Sequence, residues 1–310
     1  MSADDAPLYL VDASVFIFRA YYSVPVSLAN GDGEPVNAVH GFGRFLGDLL
    51  ESELPTRIAV AFDQSLTTSF RNRLYPAYKA NREPAPIDLK RQFAWCRELC
   101  RALGVAEFVS DEYEADDLIG TLAARGRALG WRSIVVTRDK DLSQLIRPGD
   151  VYWDYVSEAR YEYCDIAERF GVLPERMADF LALTGDAVDN IRGVPGIGKK
   201  TAALLLEQYA SLEQLYDNLD ALHKLKIRNA SFVVEQLRDH RESAFLARRL
   251  TEIACSAPLE ADIEQLRRRA PDLPALADLY DTLGFGRLLR NQAERILARD
   301  RERAAASAQL

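Results

Sequence analysis

The stretch LYLVDAS, residues 8–14, places a run of β-prone apolar residues directly before the carboxylate of Asp12. The same arrangement recurs in IAVAFDQ, residues 58–64, where Asp63 ends the run, and a third β-prone run covers residues 134–137. Such runs alternate with segments of helical spacing, which predicts an α/β fold with an open parallel sheet. In a sheet of this kind, ligands bind in the crevice beyond the carboxyl ends of the strands.

Nine carboxylates in five clusters lie at the ends of apolar runs. They are Asp12, Asp63, Glu114, Asp116, Asp117, Asp139, Asp141, Asp186 and Asp189. If they meet at one edge of a sheet, they repel one another and lose hydration unless cations neutralise them. An oxygen-only ligand set favours hard divalent ions such as Mg²⁺ or Mn²⁺. The pattern therefore predicts a pair of divalent metal ions at the top of an α/β sheet.

Ordinary structural roles are the alternative explanation for parts of this pattern. Asp116 and Asp117 could be helix-start residues, which the helix macrodipole favours. Asp139 could cap the helix that follows it. Asp186 and Asp189 lie in a turn-rich segment, where aspartate is common. Each alternative accounts for part of one cluster, whereas metal binding accounts for all five together.

Length and composition indicate an ordinary globular chain. With 310 residues, two domains are expected, and no apolar run approaches the roughly 20 residues that span a bilayer. The acidic start of the chain lacks the basic region of a secretory signal, so a cytoplasmic protein is expected. The four cysteines form neither a CxxC pair nor a group with histidine, which argues against a zinc site and fits a reducing compartment.

The net charge of −8 at first argues against a nucleic-acid partner. Removing the nine clustered carboxylates from −8 leaves +1, and two divalent ions would add four positive charges. The remainder includes the basic stretches RNRLYPAYKANR, residues 71–82, and PGIGKKTA, residues 195–202. Phosphate binding is therefore compatible with the acidic composition. The negative net charge nevertheless predicts only modest non-specific affinity for nucleic acid.

The spacing of apolar residues changes along the chain. Strand and helix signals alternate up to about residue 161, and from there only helical spacing remains. We predict a sheet domain over residues 1–172, a smaller helical domain over 173–290 and a frayed helix or tail over 291–310. The polar and basic segment 64–86 lies between regular elements, where a long loop is usually functional or mobile.

VPGIGKKTA, residues 194–202, predicts a turn built on Gly196 and Gly198 that leads into a helix starting near Lys199. Small residues allow a phosphate to approach the backbone, and Lys199 and Lys200 add charge. This is a helix–hairpin–helix type of DNA grip, which contacts the backbone and not the bases. A Walker A loop fits poorly because no Ser or Thr directly follows the first lysine. A merely structural tight turn remains an alternative.

The basic stretch over residues 70–82 interleaves cations with aromatic residues. Its members are Arg71, Arg73, Tyr75, Tyr78, Lys79 and Arg82. Cations would hold phosphates and aromatic rings would stack on exposed bases, as at single-strand binding sites. A solvated surface helix is the alternative. The three histidines lie far apart, so no Ser–His–Asp arrangement is indicated.

Several motifs occur in order along nearly the whole chain. They include LVDASVFIFRAYY, AVAFD, FRNRLYPAYKANR, YEADDLIGTLA, TRDKDLSQLI and FLALTGDAVDNIRGVPGIGKKTA. Together they resemble the 5′-nuclease domain of bacterial DNA polymerase I and, more widely, the flap-endonuclease family. No polymerase portion follows in this sequence, so a stand-alone bacterial 5′-3′ exonuclease of that family is expected.

The resemblance implies a PIN-like sheet with a helical arch at about residues 64–86 and a helix–three-turn–helix DNA-binding element. One metal would be held mainly by Asp12, Asp63, Glu114, Asp116 and Asp117. The second would be held or supported by Asp139, Asp141, Asp186 and Asp189. Residues that match the family's positions around the scissile phosphate and the arch are Arg19, Arg71, Tyr78, Lys79 and Arg82. The carbonyls of Val194 and Ile197 resemble those that bind K⁺ beside DNA.

The implied activity is a metal-dependent 5′-3′ exonuclease and 5′-flap endonuclease, acting as a monomer on branched, nicked or 5′-ended DNA. RNA primer ends are further candidate substrates. The alternatives are a PIN-type ribonuclease, a non-catalytic metal-dependent branched-DNA binder and an interaction scaffold. Two departures from the family pattern stand out, Ala13 after the first aspartate and Arg138 before the Asp–Lys–Asp triplet. Arg138 could tune phosphate binding or obstruct one metal.

Overall fold

A six-stranded sheet forms the centre of the first part of the molecule. The computed structural model describes residues 6–65, 67–260 and 262–307. The strands are β1 (Leu8–Asp12), β2 (Arg57–Asp63), β3 (Ala106–Ser110), β4 (Ser133–Val136), β5 (Val151–Asp154) and β6 (Ala159–Tyr161). They lie in the order β3-β2-β1-β4-β5-β6, with β1 to β5 parallel and β6 antiparallel to β5. The predicted mostly parallel α/β sheet is confirmed.

Thirteen α-helices surround the sheet or follow it within the described ranges. In the first part they are α1 (Ala13–Ser23), α2 (Asn37–Glu53), α3 (Phe70–Leu74), α4 (Ile87–Ala102) and α5 (Ala115–Ala128). The helical part contains α6 (Tyr163–Phe170), α7 (Met177–Thr184), α8 (Lys199–Gln208), α9 (Leu212–Asp217), α10 (Ala230–Asp239) and α11 (Arg241–Thr251). The chain ends with α12 (Leu273–Thr282) and α13 (Arg287–Ser307). Two short strands, β7 (Gly185–Asp186) and β8 (Ile191–Arg192), form a separate antiparallel ribbon.

The sheet register brings the predicted acidic residues to one edge. The central strand β1 pairs with β2 on one side and β4 on the other, with Asp12 opposite Ala61 and Val11 opposite Val136. Asp63 ends β2 at the same edge, and the chain after β4 continues there. Connections leave β1 on both sides, so this edge is a switch point where a ligand crevice is expected.

Three apolar cores hold these layers together. One face of the sheet packs against α1, α2, α4, α12 and α13, with Phe42 and Leu46 fully buried. The opposite face packs against α5 through Leu118 and Leu122. The helical part has its own core, centred on residues such as Leu205. Full burial of each of these side chains contributes about 1.5–3 kcal/mol of hydrophobic stabilisation.

The C-terminal part of the chain returns to the sheet domain. Ile253 and Leu266 pack on the α5 face, whereas α12 and α13 cover the opposite face. Residues 291–310 were predicted to be a frayed helix or a tail, and α13 continues through them to Ser307, with Gln292 donating a hydrogen bond of 2.7 Å to Asp48. Leu289, Ala293 and Ile296 of α13 are buried at helical spacing, whereas Leu288 is exposed. The first five and the last three residues, which belong to the acidic start and to the predicted tail, lie outside the described ranges.

The structure also bears on membrane-spanning helices and on the cysteines. In the described ranges, no helix combines the length and the apolar character that crossing a bilayer requires. The described cysteines are free thiols, and Cys96 and Cys100 are buried on one face of α4.

Candidate metal centre

Asp12 and Asp63 end adjacent strands and are oriented by hydrogen bonds. Asp12 caps α1 by accepting from the Ser14 amide at 3.2 Å, and Thr137 Oγ1 donates to its other oxygen at 2.9 Å. Asp63 accepts from Ser14 Oγ at 2.7 Å and from the Ala115 amide, at the start of α5, at 2.9 Å. The roles of Ser14 and Thr137 were not predicted, although both hydroxyls lie within two positions of a predicted carboxylate. The pair is therefore held at the carboxyl edge of the sheet.

The carboxylates around Asp12 face further acids, and Lys79 near Asp116 and Lys140 beside Asp141 offset this negative charge only in part. Burial raises the pKa of Asp12 to about 7, and the charges of Asp63 and Asp139 add to this rise. Burial also raises the pKa of Asp116 well above its usual range, together with the charges of Asp139, Asp12 and Asp63. For Asp141, burial and the charge of Asp139 raise the pKa to about 7. These acids therefore face one another closely enough to repel.

Glu114 has the opposite surroundings. It accepts from Lys79 Nζ at 2.7 Å and from the Tyr78 hydroxyl at 3.0 Å. The same hydroxyl lies 3.2 Å from Asp189, and the same ammonium lies 3.9 Å from it. Burial alone would raise the pKa of Glu114, but the cations Lys79 and Arg71 outweigh burial and hold the pKa below its ordinary value. This carboxylate is therefore already neutralised by the protein.

The segment predicted as an arch is joined to the loop between β7 and β8. Lys79 adopts the left-handed conformation, with φ of 55°, and its amide donates to the Asp189 carbonyl at 3.0 Å. Asn190 donates to the Ala77 carbonyl at 2.7 Å, and Arg82 forms an ion pair with Asp189. Apart from Leu66, which lies outside the described residues, the segment consists of α3 and a tight turn. A non-glycine residue in this conformation is strained and is often functional.

Asp117 and Arg71 are not placed as the sequence predicted. Asp117 is fully buried and accepts two hydrogen bonds from Arg71, at 2.7 and 2.8 Å, and one each from the amides of Glu114 and Ala254, at 3.0 and 2.8 Å. Arg71 is 3% exposed, and it also donates to two main-chain carbonyls at the end of α11. The Asp117 oxygens are thus committed to protein donors, and the Arg71 guanidinium cannot reach a phosphate as placed. Asp117 therefore fills the helix-start role that was weighed as the alternative.

Tyr78 also differs from its predicted role. The side chain is 3% exposed, and its ring packs within the core of the helical domain. Because the ring is buried and its hydroxyl is engaged with Glu114 and Asp189, it cannot stack on a base in this conformation. The more exposed cations at this edge are Lys79 and Arg82.

Two other arginines can now be placed. Arg19 is exposed on α1, and within the described ranges it has no hydrogen-bond or ion-pair partner. Arg138 lies 3.5 Å from Asp154 at the end of β5, so its charge is directed to that carboxylate. In this conformation, the bulky cation does not stand between the carboxylates of the neighbouring acidic cluster.

The second half of the acidic cluster contains a lysine that the sequence did not single out. Asp139 caps the 3₁₀ helix of residues 140–145 by accepting from the Asp141 amide at 2.9 Å, so the capping alternative also holds for Asp139. Asp186 accepts from the Val188 amide at 2.9 Å. Lys140 Nζ lies 2.5 Å from Asp186 and 3.0 Å from Asp141. The motif TRDKD contains this lysine, but only the fold shows that it reaches β7.

The residues fit a hard divalent cation by their chemistry and charge. The set contains only oxygen donors, and Oδ1 of Asp141 is buried without a hydrogen-bond donor. As placed, no three acidic, histidine or cysteine side chains of the described residues converge tightly enough to hold an ion. Lys79 and Lys140 stand between carboxylates instead. Binding a cation would therefore require side chains to move by rotamer changes, driven by the repulsion among the acids.

The predicted hairpin is present in the helical domain. Val194 to Ile197 form a type II turn, in which the Ile197 amide donates to the Val194 carbonyl at 3.1 Å and Gly196 has φ of 77°. Helix α8 begins at Lys199, as predicted. A Cβ added at Gly198 would meet no atom within 4 Å, so this residue faces open space. Lys199 and Lys200 are exposed, without an ion pair to any described residue.

Comparison with known proteins gives the family. Residues 7–171 match the model for the 5′-3′ exonuclease N-terminal resolvase-like domain, and residues 172–274 match the model for the 5′-3′ exonuclease C-terminal SAM fold. The chain is 39% identical to DNA polymerase I of Rhizobium leguminosarum over 294 residues, which are 93% of this chain and 28% of that protein. It is also 39% identical to the thermostable DNA polymerase I of Thermus filiformis over 280 residues, 90% of this chain and 32% of that protein. The chain thus spans about a third or less of these relatives.

Solved structures share the fold at lower identity. The D15 protein of bacteriophage T5, co-crystallized with metal ions, has a TM-score of 0.66 and 19% identity, covering 94% of this chain and 98% of that one. The catalytic core of Rad2 in complex with DNA substrate has a TM-score of 0.62 and 16% identity, covering 94% and 92%. The resolvase-like sheet domain and the SAM-like helical domain are therefore both present, and the chain belongs to the 5′-3′ exonuclease family.

Proposed function

We propose that the protein hydrolyses phosphodiester bonds in DNA with the help of divalent cations, as a 5′-3′ exonuclease and a 5′-flap endonuclease. The observation that carries the proposal is the group of mutually repelling carboxylates, Asp12, Asp63, Asp116 and Asp139, at the carboxyl edge of the sheet. Its position in a 5′-3′ exonuclease fold supports the same conclusion. We propose that it acts as a monomer in the cytoplasm, in DNA replication or repair.

Two groups of carboxylates at this edge would hold two Mg²⁺ or Mn²⁺ ions. Asp12, Asp63, Asp116 and Asp139 would form the first site, and Asp139, Asp141 and Asp186 would contribute to the second. When bound, such ions supply Lewis acidity that lowers the pKa of a water and offsets charge on a phosphate. Glu114 and Asp189 would serve mainly to position Lys79, and Asp117 would support the start of α5.

Lys79 and Arg82 are the residues that we propose to contact the scissile phosphate. Both lie at the rim of the acidic cluster, with 11% and 35% of their side chains exposed. Each is paired with a carboxylate, Lys79 with Glu114 and Arg82 with Asp189, so its charge is held in place before DNA arrives. Donors fixed in this way stabilise charge that develops in a transition state without further reorganisation. Arg71 would act indirectly, through the position of Glu114, which lies 3.9 Å from its guanidinium.

The helical domain would hold the duplex next to the cleavage site. Lys199, Lys200 and the open face of Gly198 would contact phosphates of the backbone, and Arg19 would add a contact from α1. The carbonyls of Val194 and Ile197 are proposed to bind K⁺ beside the DNA. Flaps, nicks and 5′ ends are the proposed substrates, and an RNA primer at a 5′ end is included because these contacts address the backbone.

A cleavage assay tests the enzyme proposal against the non-catalytic alternative. A 5′-labelled flap substrate is incubated with Mg²⁺ or with EDTA, and the wild type is compared with Asp139→Asn. We expect Mg²⁺-dependent cleavage by the wild type and loss of cleavage in the variant, with binding retained. Tight binding of the flap without metal-dependent cleavage would show a branched-DNA binder. An all-RNA flap in a parallel reaction distinguishes a PIN-type ribonuclease, which would prefer it.

The hairpin proposal can be tested with a pair of glycine variants. Gly198 has φ of −90° and open space around it, so Gly198→Ala should keep its stability but weaken duplex binding about tenfold by blocking a phosphate. Gly196→Ala is the contrast, because the positive φ and the Phe232 ring, 2.6 Å from the added Cβ, should make that variant unstable. Fluorescence anisotropy and thermal unfolding measure the two effects.

If the turn is only structural, Gly198→Ala will bind DNA as the wild type does. Binding by the wild type should also weaken as salt concentration rises, since phosphate contacts release counterions. Affinity that is indifferent to ionic strength would contradict the assigned lysine contacts.

A further inference from the structure

A lysine ammonium bridges two carboxylates that belong to different domains. Asp141 lies in the 3₁₀ helix after β4, and Asp186 ends β7 in the helical domain. Lys140 Nζ lies 3.0 Å from Oδ1 of Asp141 and 2.5 Å from Oδ2 of Asp186. The ammonium therefore lies at the place where the two acids would otherwise face each other without a cation.

This bridge differs from a permanently buried ion pair. The Lys140 side chain is 43% exposed, whereas the Asp141 and Asp186 side chains are 16% and 5% exposed. Rotation of the flexible lysine stem can thus carry the ammonium into water while both acids stay in place. A buried guanidinium such as that of Arg71, which is bidentate and 3% exposed, has no such route.

The single positive charge of Lys140 does not fully neutralise Asp141 and Asp186. Oδ1 of Asp141 is buried, and the Lys140 ammonium lies 3.0 Å from it. One ammonium shared by two carboxylates leaves the group of three side chains with a net negative charge. A cation with two charges and no directional requirement would satisfy both acids better than one ammonium does.

We infer that Lys140 is a resident counter-cation for Asp141 and Asp186, which a divalent ion displaces when it binds between them. The inference rests on the proposed metal-dependent function. It gives Lys140 two opposite effects. The ammonium stabilises the metal-free fold by separating two acids, and it lowers the affinity of the second site because the incoming ion must displace it.

An ordinary interdomain salt bridge makes a different prediction. If Lys140 stays on both acids when metal binds, its positive charge helps to hold the two domains in the binding geometry. Removing it would then weaken metal binding and stability together. The resident-cation model requires the two effects to have opposite signs.

The test compares Lys140→Met with Lys140→Arg and with Lys224→Met in the full chain after removal of metals. Lys224 is exposed, has no ion pair to any described residue and gives the same change in net charge. Mn²⁺ binding is followed by isothermal titration calorimetry and by electron paramagnetic resonance. The thermal midpoint is measured in EDTA and in Mn²⁺, so neither readout depends on cleavage.

We expect Lys140→Met to bind Mn²⁺ at the weaker site about tenfold more tightly than the wild type, the effect of losing one competing charge-assisted contact. Its midpoint in EDTA should be lower than that of the wild type, and its gain from Mn²⁺ should be larger. Lys224→Met should match the wild type in Mn²⁺ affinity, and Lys140→Arg should stay close to it.

Unchanged or weaker Mn²⁺ binding in Lys140→Met would overturn the inference while leaving the metal centre intact. Equal tightening in Lys224→Met would also overturn it, because the effect would then be one of net charge. A wild type that binds no Mn²⁺ would instead refute the metal centre on which the proposed function depends.

Discussion

Two sides of one acidic cluster have opposite electrostatics. On one side, Glu114 and Asp117 are surrounded by Arg71, Lys79 and the Tyr78 hydroxyl, with contacts of 2.7 to 3.0 Å. Burial would raise the pKa of Glu114, but Lys79 and Arg71 hold it below the ordinary value. This side is neutral without any ligand.

On the other side, Asp12 and Asp116 are surrounded by further acids. Burial and the charges of Asp63 and Asp139 raise the pKa of Asp12 to about 7. Within the described residues, no side chain or amide donates a hydrogen bond to the Asp116 carboxylate, and burial with the neighbouring acids raises its pKa strongly. The two sides contain the same residue types at the same edge of the sheet. The two sides differ in whether the protein itself supplies a cation. Acids that are paired with a protein cation serve to position it, and acids without one are the proposed metal ligands.

The largest expected effect comes from removing one uncompensated charge. Asp116→Asn should lower the rate of flap cleavage about a thousandfold, because a ligand oxygen is lost from the proposed first metal site. In EDTA at pH 8, the same variant should be more stable than the wild type, because Asp116 repels three other acids. Single-turnover cleavage and urea unfolding measure the two effects. Asp278→Asn, an exposed change on α12, is the control and should alter neither.

If Asp116→Asn instead destabilises the metal-free protein, the carboxylate is held by protein contacts and the comparison fails. Loss of cleavage without a gain in stability would still support a catalytic role for Asp116. It would, however, contradict the claim that Asp116 is repelled by its neighbours. The sign of the stability change is therefore the informative quantity.

The next effect concerns the compensated side, where loss of a cation should destabilise. Arg71→Met leaves Asp117 as a buried charge without its partner, which typically costs about 3–5 kcal/mol in the free energy of unfolding. Arg71→Met combined with Asp117→Leu should lose clearly less than the sum of the single changes. Urea unfolding of the four proteins measures the coupling. If Arg71→Met instead kept its stability and bound DNA more weakly, the result would support the phosphate contact that the sequence suggested for Arg71.

The sequence was sufficient for the layers of the fold but not for the division within the cluster. Apolar runs predicted β1, β2 and β4 to within one or two residues, because parallel strands are buried and are bounded by turns. Helix α1 and strand β6 were missed, since α1 directly follows the β-prone run and β6 has only three residues. The sequence left a frayed helix and a tail as alternatives for residues 291–310, because only the packing of α13 on α2 shows which of its residues are buried.

At the site, the nine acids could be found from local pattern, whereas their partners could not. The Arg71 and Asp117 pair spans 46 positions, and no spacing rule separates Asp117 from its neighbour Asp116. Tyr78 is buried by residues of the helical domain, which lie more than 90 positions later in the sequence. Which acids are paired with a cation depends on contacts between distant parts of the chain, so local sequence patterns cannot predict it.

A smaller effect is expected in the pH dependence of stability. In EDTA, the unfolded chain ionises Asp12 near its ordinary pKa of about 4, whereas the fold retains the proton up to about pH 7. The contribution of Asp12 to stability should therefore fall as pH rises from about 4 to 7 and stay low above that, a change on the order of 1–3 kcal/mol. Thermal unfolding at pH 5 and pH 8 measures it.

Two controls separate this contribution from other titrations. Asp12→Asn should lose that part of the slope, and Mg²⁺ should stabilise the wild type more at pH 8 than at pH 5, because the ion binds the ionised acids. A wild-type slope that Asp12→Asn leaves unchanged would show that Asp12 is not under strain from its neighbours.

The smallest effect should come from a neutral hydroxyl donor on the uncompensated side. Thr137 is buried, donates to Asp12 at 2.9 Å and accepts from the Asp139 amide at 2.9 Å. Thr137→Val keeps the shape but removes both contacts, which should cost about 1–2 kcal/mol at pH 8 in EDTA. The loss should shrink at pH 5, where Asp12 is protonated and its repulsion is relieved. Thr282→Val, an exposed position on α12, is the control for the substitution itself, and an equal loss at both pH values would mean that Thr137 supports the backbone and not the charge of Asp12.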